Sequence, residues 1–356
     1  MFSFFFALFL RHAPSSATTS NLELLPNEIL FDILSYLSVS DLAYGWLDLN
    51  SRFYAIVHSC PIRQIYNEPK WRGRLLRWFP WSYPTDAELL QYFASQFVSL
   101  EIHQHLTLSG VNKINILQYP NLRRLTIRRT TTSQVNAIQA NNFPYLEYLT
   151  LSATENISFN ILCQFKLLRS CDLGSIQIDD QDICSSSSIR SLILQKCDPS
   201  KLLHLLHHLP QLILFKVNFI WTETSVQQFD FTVDFVHQNL RSLYVSMFNF
   251  QFTKGPIDTD RCAVISTLLA TLSPDQRIRC HLSLFGMSNF NFEQFHRALR
   301  KLNSCRLSCF LTYCLPWHSL PDFDHIRQLS LFNQLRPGPC NSDDFHTYHL
   351  TWTSVH

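Results

Sequence analysis

Apolar positions keep helical spacing between Leu24 and Val57 and change to strand-like alternation from Leu122 onward. In the first stretch Ile29, Ile33 and Leu37 fall at i, i+4 and i+8, with Leu30 and Leu34 one position on. The spacing predicts a helix whose apolar stripe is wider than a single seam. Leu25-Pro26 opens it, because Pro at the first helical position loses only an N–H that has no intrahelical partner, and Glu28 sits near the positive end of the helix dipole. Ser38 and Asp41 have the spacing of a capping box, predicting a second short helix that carries Leu42, Trp46 and Leu47. Asn50 or Ser51 caps a third, in which Phe53, Ile56 and Val57 follow the i, i+3, i+4 pattern. Three short helices enclose too little volume to bury all of these side chains, so some are left for a partner.

Further along, one template recurs: Leu122-x-x-Leu125-x-Ile127, Leu146-x-x-Leu149-x-Leu151, Leu168-x-x-Cys171-x-Leu173, Ile189-x-x-Leu192-x-Leu194, Leu212-x-x-Phe215-x-Val217 and Leu240-x-x-Leu243-x-Val245. The copies follow one another at steps of 21 to 28 residues, close to the leucine-rich-repeat range. Ile326-x-x-Leu329-x-Leu331 is a further copy, and looser strands are expected around Leu282–Leu284 and Leu307–Phe310. Strand side chains alternate faces, so the last two apolar positions of each copy point inward and the residues between them line the opposite face. Ser200–Leu209 and Gln294–Leu302 read as helices returning between strands. The expected fold class is α/β, a short helical segment followed by a leucine-rich-repeat solenoid, or horseshoe. The Asn or Cys expected three residues after the last strand position appears only as Cys197, so the solenoid is expected to be irregular.

Composition narrows the chemistry. With 46% hydrophobic and 16% charged residues and a formal net charge of +2, the 356-residue chain can bury a large core and offers no general electrostatic case for nucleic acid. Its 7 glycines lie too far apart for a phosphate-cradling loop or a dinucleotide fingerprint. The 11 cysteines are odd in number and include no CxxC pair, which fits reduced, buried thiols in the cytoplasm or nucleus better than a disulfide scaffold. Met1–Leu10 is apolar but too short to span a bilayer, so no stable membrane insertion is expected. It lacks the basic leader of a secretion signal, which remains the competing reading. The acceptor triplet Asn156-Ile157-Ser158 adds little to that reading.

Residues 22–60 resemble the F-box, the module by which substrate receptors attach to the Skp-type adaptor of Skp/cullin/F-box ubiquitin ligases. The resemblance rests on Leu25-Pro26-x-Glu28-Ile29-Leu30, Ile33-Leu34-x-Tyr36-Leu37, Asp41-Leu42 and Leu49-Asn50-x-Arg52-Phe53, which stand in the family's order and spacing. Gly45-Trp46 departs from it, inside the second helix. The resemblance implies that Leu25, Pro26, Ile29, Leu30, Ile33, Leu37, Leu42 and Phe53 face the adaptor, and through it a cullin scaffold, as anchors in a helix-to-groove interface. The domain plan is then a disordered or weakly apolar N-terminal extension (1–21), the F-box (22–60), a linking helical or cap segment (61–99), the solenoid (100–335) and a tail (336–356).

On the polar face of the predicted strands stand Arg124, Thr126 and Arg128, then Tyr148, Thr150 and Ser152, then Ser170, Asp172, Ser191, Gln195, Lys216, Asn218, Ser242 and Tyr244. These include no convergent acid, base and nucleophile, and a non-catalytic chain without cofactor or metal is expected. Arg124, Arg128, Tyr148, Lys216 and Tyr244 are the candidate anchors for a protein target, Arg and Tyr being the residue types most expected to carry binding energy. His204 and His208 have the i, i+4 spacing of zinc-binding helices but no Glu after the first His, and read as a solvated helix face. Cys305, Cys309 and Cys314 lack the paired spacing of a zinc site. Lys70, Trp71, Arg72, Arg74, Arg77, Trp78 and Trp81 read as a cap over the solenoid's open end rather than a nucleic-acid platform. The resulting expectation is a ligase subunit that docks through its helices and holds an unknown protein through its strand surface; the alternative is an interaction scaffold that joins no ligase.

Overall fold

The helical spacing of residues 24–57 folds as three helices whose ends are set by side chains close in sequence. The computed structural model describes residues 21–47, 49–67, 86–103, 115–128, 130, 132–177, 185–186, 188–197, 201–220, 235–248, 264–265, 267–272, 277–285, 292–301, 306–316, 323–330, 332, 336–337 and 345–353. Two compact units divide the chain, Met1–Ser152 and Ala153–His356.

In the first unit, α1 (Asn27–Ser35) starts after Pro26, which takes the N-cap with φ −56° rather than the first helical position. Helix α2 (Val39–Gly45) starts with the expected capping box: the Asp41 amide donates to Ser38 Oγ at 3.2 Å and the Ser38 amide donates to Asp41 Oδ2 at 3.4 Å, an oxygen the Ser38 hydroxyl also reaches at 2.7 Å. It stops at Gly45, so Trp46 and Leu47 lie beyond its last turn. Helix α3 (Ser51–Ser59) is capped by Asn50, whose Oδ1 accepts from the Phe53 amide at 3.0 Å. Leu30, Leu34, Val39, Leu42, Phe53, Ile56 and Val57 form the buried core of the trio. Trp46 meets Phe53 edge-on at 5.4 Å.

Strand β1 (Ile62–Asn67) follows α3 directly, and α4 (Asp86–Tyr92) precedes β2 (Phe97–His103). Both strands lie within residues 61–99 or at their edge, where a linking helical segment was expected. After β2 come β3 (Arg124–Arg128), α5 (Thr132–Ala137) and β4 (Tyr148–Ser158), the last of which crosses the division between the units. Strands β1 to β4 lie side by side in chain order, all parallel.

The second unit carries α6 (Phe159–Cys163), β5 (Ser170–Gln177), β6 (Ser191–Cys197), α7 (Leu202–His207), β7 (Leu214–Ile220) and β8 (Ser242–Phe248). These are followed by β9 (Arg277–Phe285), α8 (Phe292–Lys301), β10 (Arg306–Pro316), α9 (Phe323–Gln328), β11 (Arg336–Pro337) and β12 (Phe345–Thr353). Strands β5 to β10 are again parallel and in chain order. Strand β12 turns back antiparallel on β10, and β11 pairs antiparallel with β12.

The paired apolar positions of the template fill the core. Leu125 and Ile127, Leu149 and Leu151, Cys171 and Leu173, Leu192 and Leu194, Phe215 and Val217, and Leu243 and Val245 are all at most 1% exposed. Each buried aliphatic or aromatic side chain is worth about 1.5–3 kcal/mol relative to its exposed state. Burial also pushes the Cys171 thiol well above its ordinary range, because the thiolate would have to form in an apolar surround.

The α/β class read from the repeats is consistent with the structure, but the solenoid assigned within it needs correction. An F-box followed by an irregular leucine-rich-repeat horseshoe is not what the described residues form; they form an α/β fold of parallel strands with helices, closed on one side by antiparallel strands. The physical reason lies in what the repeat measures. Any parallel pair needs a crossover of a dozen or more residues, so steps of 21 to 28 residues mark strand and return without specifying a solenoid. The strands also run up to eleven residues, in β4 and β10, longer than the template.

The apolar run Met1–Leu10 and the basic, aromatic stretch from Lys70 to Trp81 lie outside the described residues. No helix among the described residues is long and apolar enough to cross a membrane.

Candidate functional site

The three helices of the first unit divide their apolar side chains unequally between core and surface. On α1, Leu30 and Leu34 are fully buried, whereas Ile29 and Ile33 are 45% and 39% exposed and Tyr36, just past the helix, is 89% exposed. Ile29, Ile33 and Tyr36 stand at i, i+4 and i+7, one line along the helix. Leu24 adds 72% exposure from the short 3₁₀ turn before it. A stripe wider than one seam has two edges: the structure buries one edge and leaves the other in water.

The eight anchors expected for the adaptor are split accordingly. Pro26, Ile29 and Ile33 are exposed, and Leu25 and Leu37 are partly exposed. Leu30, Leu42 and Phe53 are turned inward, with 0%, 1% and 2% exposure, and have no surface to offer while the helices are packed.

The segment entering α1 is held from the far side of the trio. Arg52, at the start of α3, donates to the Glu23 carbonyl, to the Leu25 carbonyl at 2.5 Å, and to Asn27 Oδ1 through Nη2 at 2.8 Å and Nε at 3.1 Å. Asn50 Nδ2 adds a bond to Glu23 Oε1 at 3.0 Å. Residues 23–27, which present Leu24, Leu25 and Pro26, are thereby fixed against α3. In the sequence Arg52 is one position of the family pattern; the rigid planar fork of an Arg, reaching acceptors about 25 residues upstream, is legible only in three dimensions.

The polar strand face places the five expected target anchors in two groups. In the first unit Arg124 pairs in register with Tyr148, and its guanidinium lies 4.6 Å from the Tyr148 ring centre. Four residues on, Arg128 reaches Glu101 Oε1 at 3.3 Å, and His103 Nε2 meets the same oxygen at 2.5 Å. The basic character expected of this end is therefore partly spent within the chain: Arg124 covers an aromatic face and Arg128 shares a carboxylate.

In the second unit Lys216 pairs with Tyr244, and Tyr244 with His281, across adjacent strands. The Tyr244 and His281 rings stack at 5.8 Å. Burial lowers the His281 pKa and the Lys216 charge lowers it further, which favours the neutral imidazole. At the other end of the row, burial raises the Asp172 pKa and Lys216 partly offsets it. Asp172 on β5 and His281 on β9 are four strands apart, about 19 Å at the usual strand spacing, so they do not form an acid–base pair. His281 was not singled out in the sequence; the only signal for it was the alternation Cys280-His281-Leu282, in which its neighbours are core.

The remaining constellations are placed as follows. His204 and His208 on and after α7 have ring centres 4.5 Å apart, and His207 and His208 5.3 Å. Burial and the two neighbouring imidazoles lower the His208 pKa. Cys309 and Cys314 are positions of β10, Cys305 lies outside the described residues, and Asn156 falls within β4. Among the described residues no group of three or more His, Cys, Asp or Glu is placed to hold a metal ion.

No protein-family model and no curated protein matches this chain.

Proposed function

We propose that the chain is the substrate-recognition subunit of a Skp/cullin/F-box ubiquitin ligase, docking to the Skp-type adaptor through its N-terminal helices and holding a target protein on its polar strand face. The observation that carries the reading is the exposed line Leu24, Ile29, Ile33 and Tyr36 on a helical trio that buries Leu30, Leu34, Leu42, Phe53, Ile56 and Val57. An amphipathic helix with i, i+4, i+7 anchors in water is the form that enters a partner's groove. The ordered resemblance of residues 22–60 to the F-box supplies the identity of that partner.

On this reading the docking set is Leu25, Pro26, Ile29, Ile33 and Leu37, with Leu24 and Tyr36 beside them, while Leu30, Leu42 and Phe53 hold the helices in shape. The chain itself performs no chemistry. Its contribution is proximity, raising the effective concentration of target lysines near the ubiquitin-loaded partner. Arg124 with Tyr148, and Lys216 with Tyr244, are the anchors proposed for the target.

The test is co-purification of the full chain with a Skp-type adaptor and cullin, comparing wild type with the Ile33→Asp plus Leu37→Asp variant. Retention of both partners by the wild type and their loss from a folded variant supports the reading. A folded wild type that retains neither is an interaction scaffold outside the ligase.

A further inference from the structure

Three strands of the second unit are entered through the same pair of residues: Arg169-Ser170 at β5, Arg190-Ser191 at β6 and Arg241-Ser242 at β8. The register aligns them. Ser170 pairs with Ser191, Ser191 with Leu214, and Leu214 with Ser242. One residue earlier, Arg169, Arg190 and Arg241 therefore stand in a row along the edge where strands begin, with Ile213 in the place belonging to β7. At about 4.8 Å per strand, Arg169 and Arg190 are neighbours and Arg241 lies about 10 Å beyond. On β9 Arg279 pairs with Ser242, so this arginine stands one residue further into the strand than the row, where Ile278 takes the place level with Arg241.

All four arginines are exposed. None of them takes part in an ion pair with another described residue. The corresponding place in the first unit is different, since there Arg123 faces Glu147 at 3.6 Å. Four like charges along one edge without a described counter-charge repel one another and attract an anionic partner.

The backbone narrows the partner. The amides of Arg190 and Ser191 both donate to the Arg169 carbonyl, at 2.8 and 3.0 Å; those of Ile213 and Leu214 to the Arg190 carbonyl, at 2.7 and 3.0 Å; and those of Arg241 and Ser242 to the Ile213 carbonyl, at 2.8 and 3.0 Å. These six amides, at the entries of β6, β7 and β8, are thereby used and form no backbone nest for one compact anion. What remains is a series of guanidinium forks spread over about 19 Å, the reach of roughly six residues of extended chain. Forks match carboxylates two bonds at a time. The non-basic places in the row are isoleucines, Ile213 and Ile278, rather than an aromatic platform on which nucleic-acid bases stack.

We propose that this arginine row docks an acidic protein segment, a run of Asp and Glu side chains lying across the strand-entry edge from β5 to β9. The site does not depend on the adaptor, so its failure leaves the ligase reading standing and the reverse also holds. Its sequence signal is the tripeptide Leu168-Arg169-Ser170, repeated as Ile189-Arg190-Ser191 and Leu240-Arg241-Ser242.

The experiment is fluorescence anisotropy of the full chain with labelled octaglutamate at low salt. Wild type is compared with Arg169→Gln/Arg190→Gln/Arg241→Gln and with a charge-matched control, Arg63→Gln/Arg297→Gln/Arg327→Gln, after circular dichroism has shown both folded. The expected result is saturable, salt-sensitive binding that falls about tenfold or more in the row variant, the sum of three exposed ion pairs, and by less than about twofold in the control. Absence of binding by wild type overturns the proposal, as does equal loss in both variants. It is also overturned if a single-phosphoserine peptide or an oligothymidylate of equal length binds more tightly than octaglutamate.

Discussion

The Arg52 guanidinium donates to the Leu25 carbonyl at 2.5 Å, so the first turn of α3 holds the residue that enters α1. The same side chain reaches Glu23 and Asn27, and it is the principal tie between the entry segment and the rest of the helical trio. Arg52→Ala is expected to lower the unfolding free energy by about 1–3 kcal/mol, the range for losing charge-assisted hydrogen bonds and leaving carbonyls with poorer partners. Hydrogen exchange should quicken at the amides of 25–30 while those of β3 stay protected. Equal exchange throughout the chain, or an unchanged denaturation midpoint, would show that the contacts do not hold the segment.

Leu34 and Ile33 are adjacent in sequence and opposite in burial, at 0% and 39% exposure. Leu34→Ala leaves a cavity among the helices and should cost about 2–5 kcal/mol. Ile33→Ala should cost under about 1 kcal/mol, as expected for a side chain that is already partly in water. Urea titration of the two variants checks the pair, and equal losses would contradict the division of the stripe.

His237 is buried, and its Nε2–H donates to the Leu209 carbonyl at 2.8 Å while its own amide donates to the Thr271 carbonyl at 2.7 Å. Burial lowers its pKa below the ordinary 6.5, against a smaller opposing effect of the Leu209 bond. The unfolded chain therefore binds a proton more readily than the folded one. The stabilisation is fully present above the unfolded value of about 6.5 and is lost as pH falls from there through the lowered folded value. His208, His281 and His296 are lowered in the same direction. Denaturant midpoints should drop between about pH 7.5 and pH 5.5, and His237→Gln should narrow that difference. A midpoint that rises on acidification would contradict this account.

Local features were the most legible part of the sequence. Ser38 and Asp41 announced their capping box, Asn50 its cap, and the alternation of Leu125 and Ile127 or Phe215 and Val217 announced which strand residues face the core. These depend on neighbours within a few residues, where steric and hydrogen-bonding rules are short-ranged. The larger arrangement was less legible for the same reason. Strand β1 at Ile62–Asn67 has no template copy, and it is made a strand by its parallel pairing with β2, more than thirty residues away in sequence. The spacing of the repeats measured strand and crossover without saying what the returns pack against, and so suggested, within the α/β class, a horseshoe that the described residues do not form.

The candidate site divided along the same line. A helical stripe shows which residues are apolar, but whether Ile29 or Leu30 faces water is decided by where α3 packs. Likewise Arg124 and Arg128 were readable as basic positions, whereas their engagement with Tyr148 and Glu101 required the register of three strands.

The most direct measurement is the affinity of the full chain for a purified Skp-type adaptor, by calorimetry, for wild type and for Ile29→Asp/Ile33→Asp, both side chains being exposed and outside the core. The wild type is expected to bind, and the double variant, with an unchanged denaturation midpoint, to lose binding by about a hundredfold or more, as expected for two central apolar anchors at about 2 kcal/mol each. A folded wild type that does not bind, or a variant that binds as tightly as wild type, would contradict the claim that this exposed line is the attachment surface.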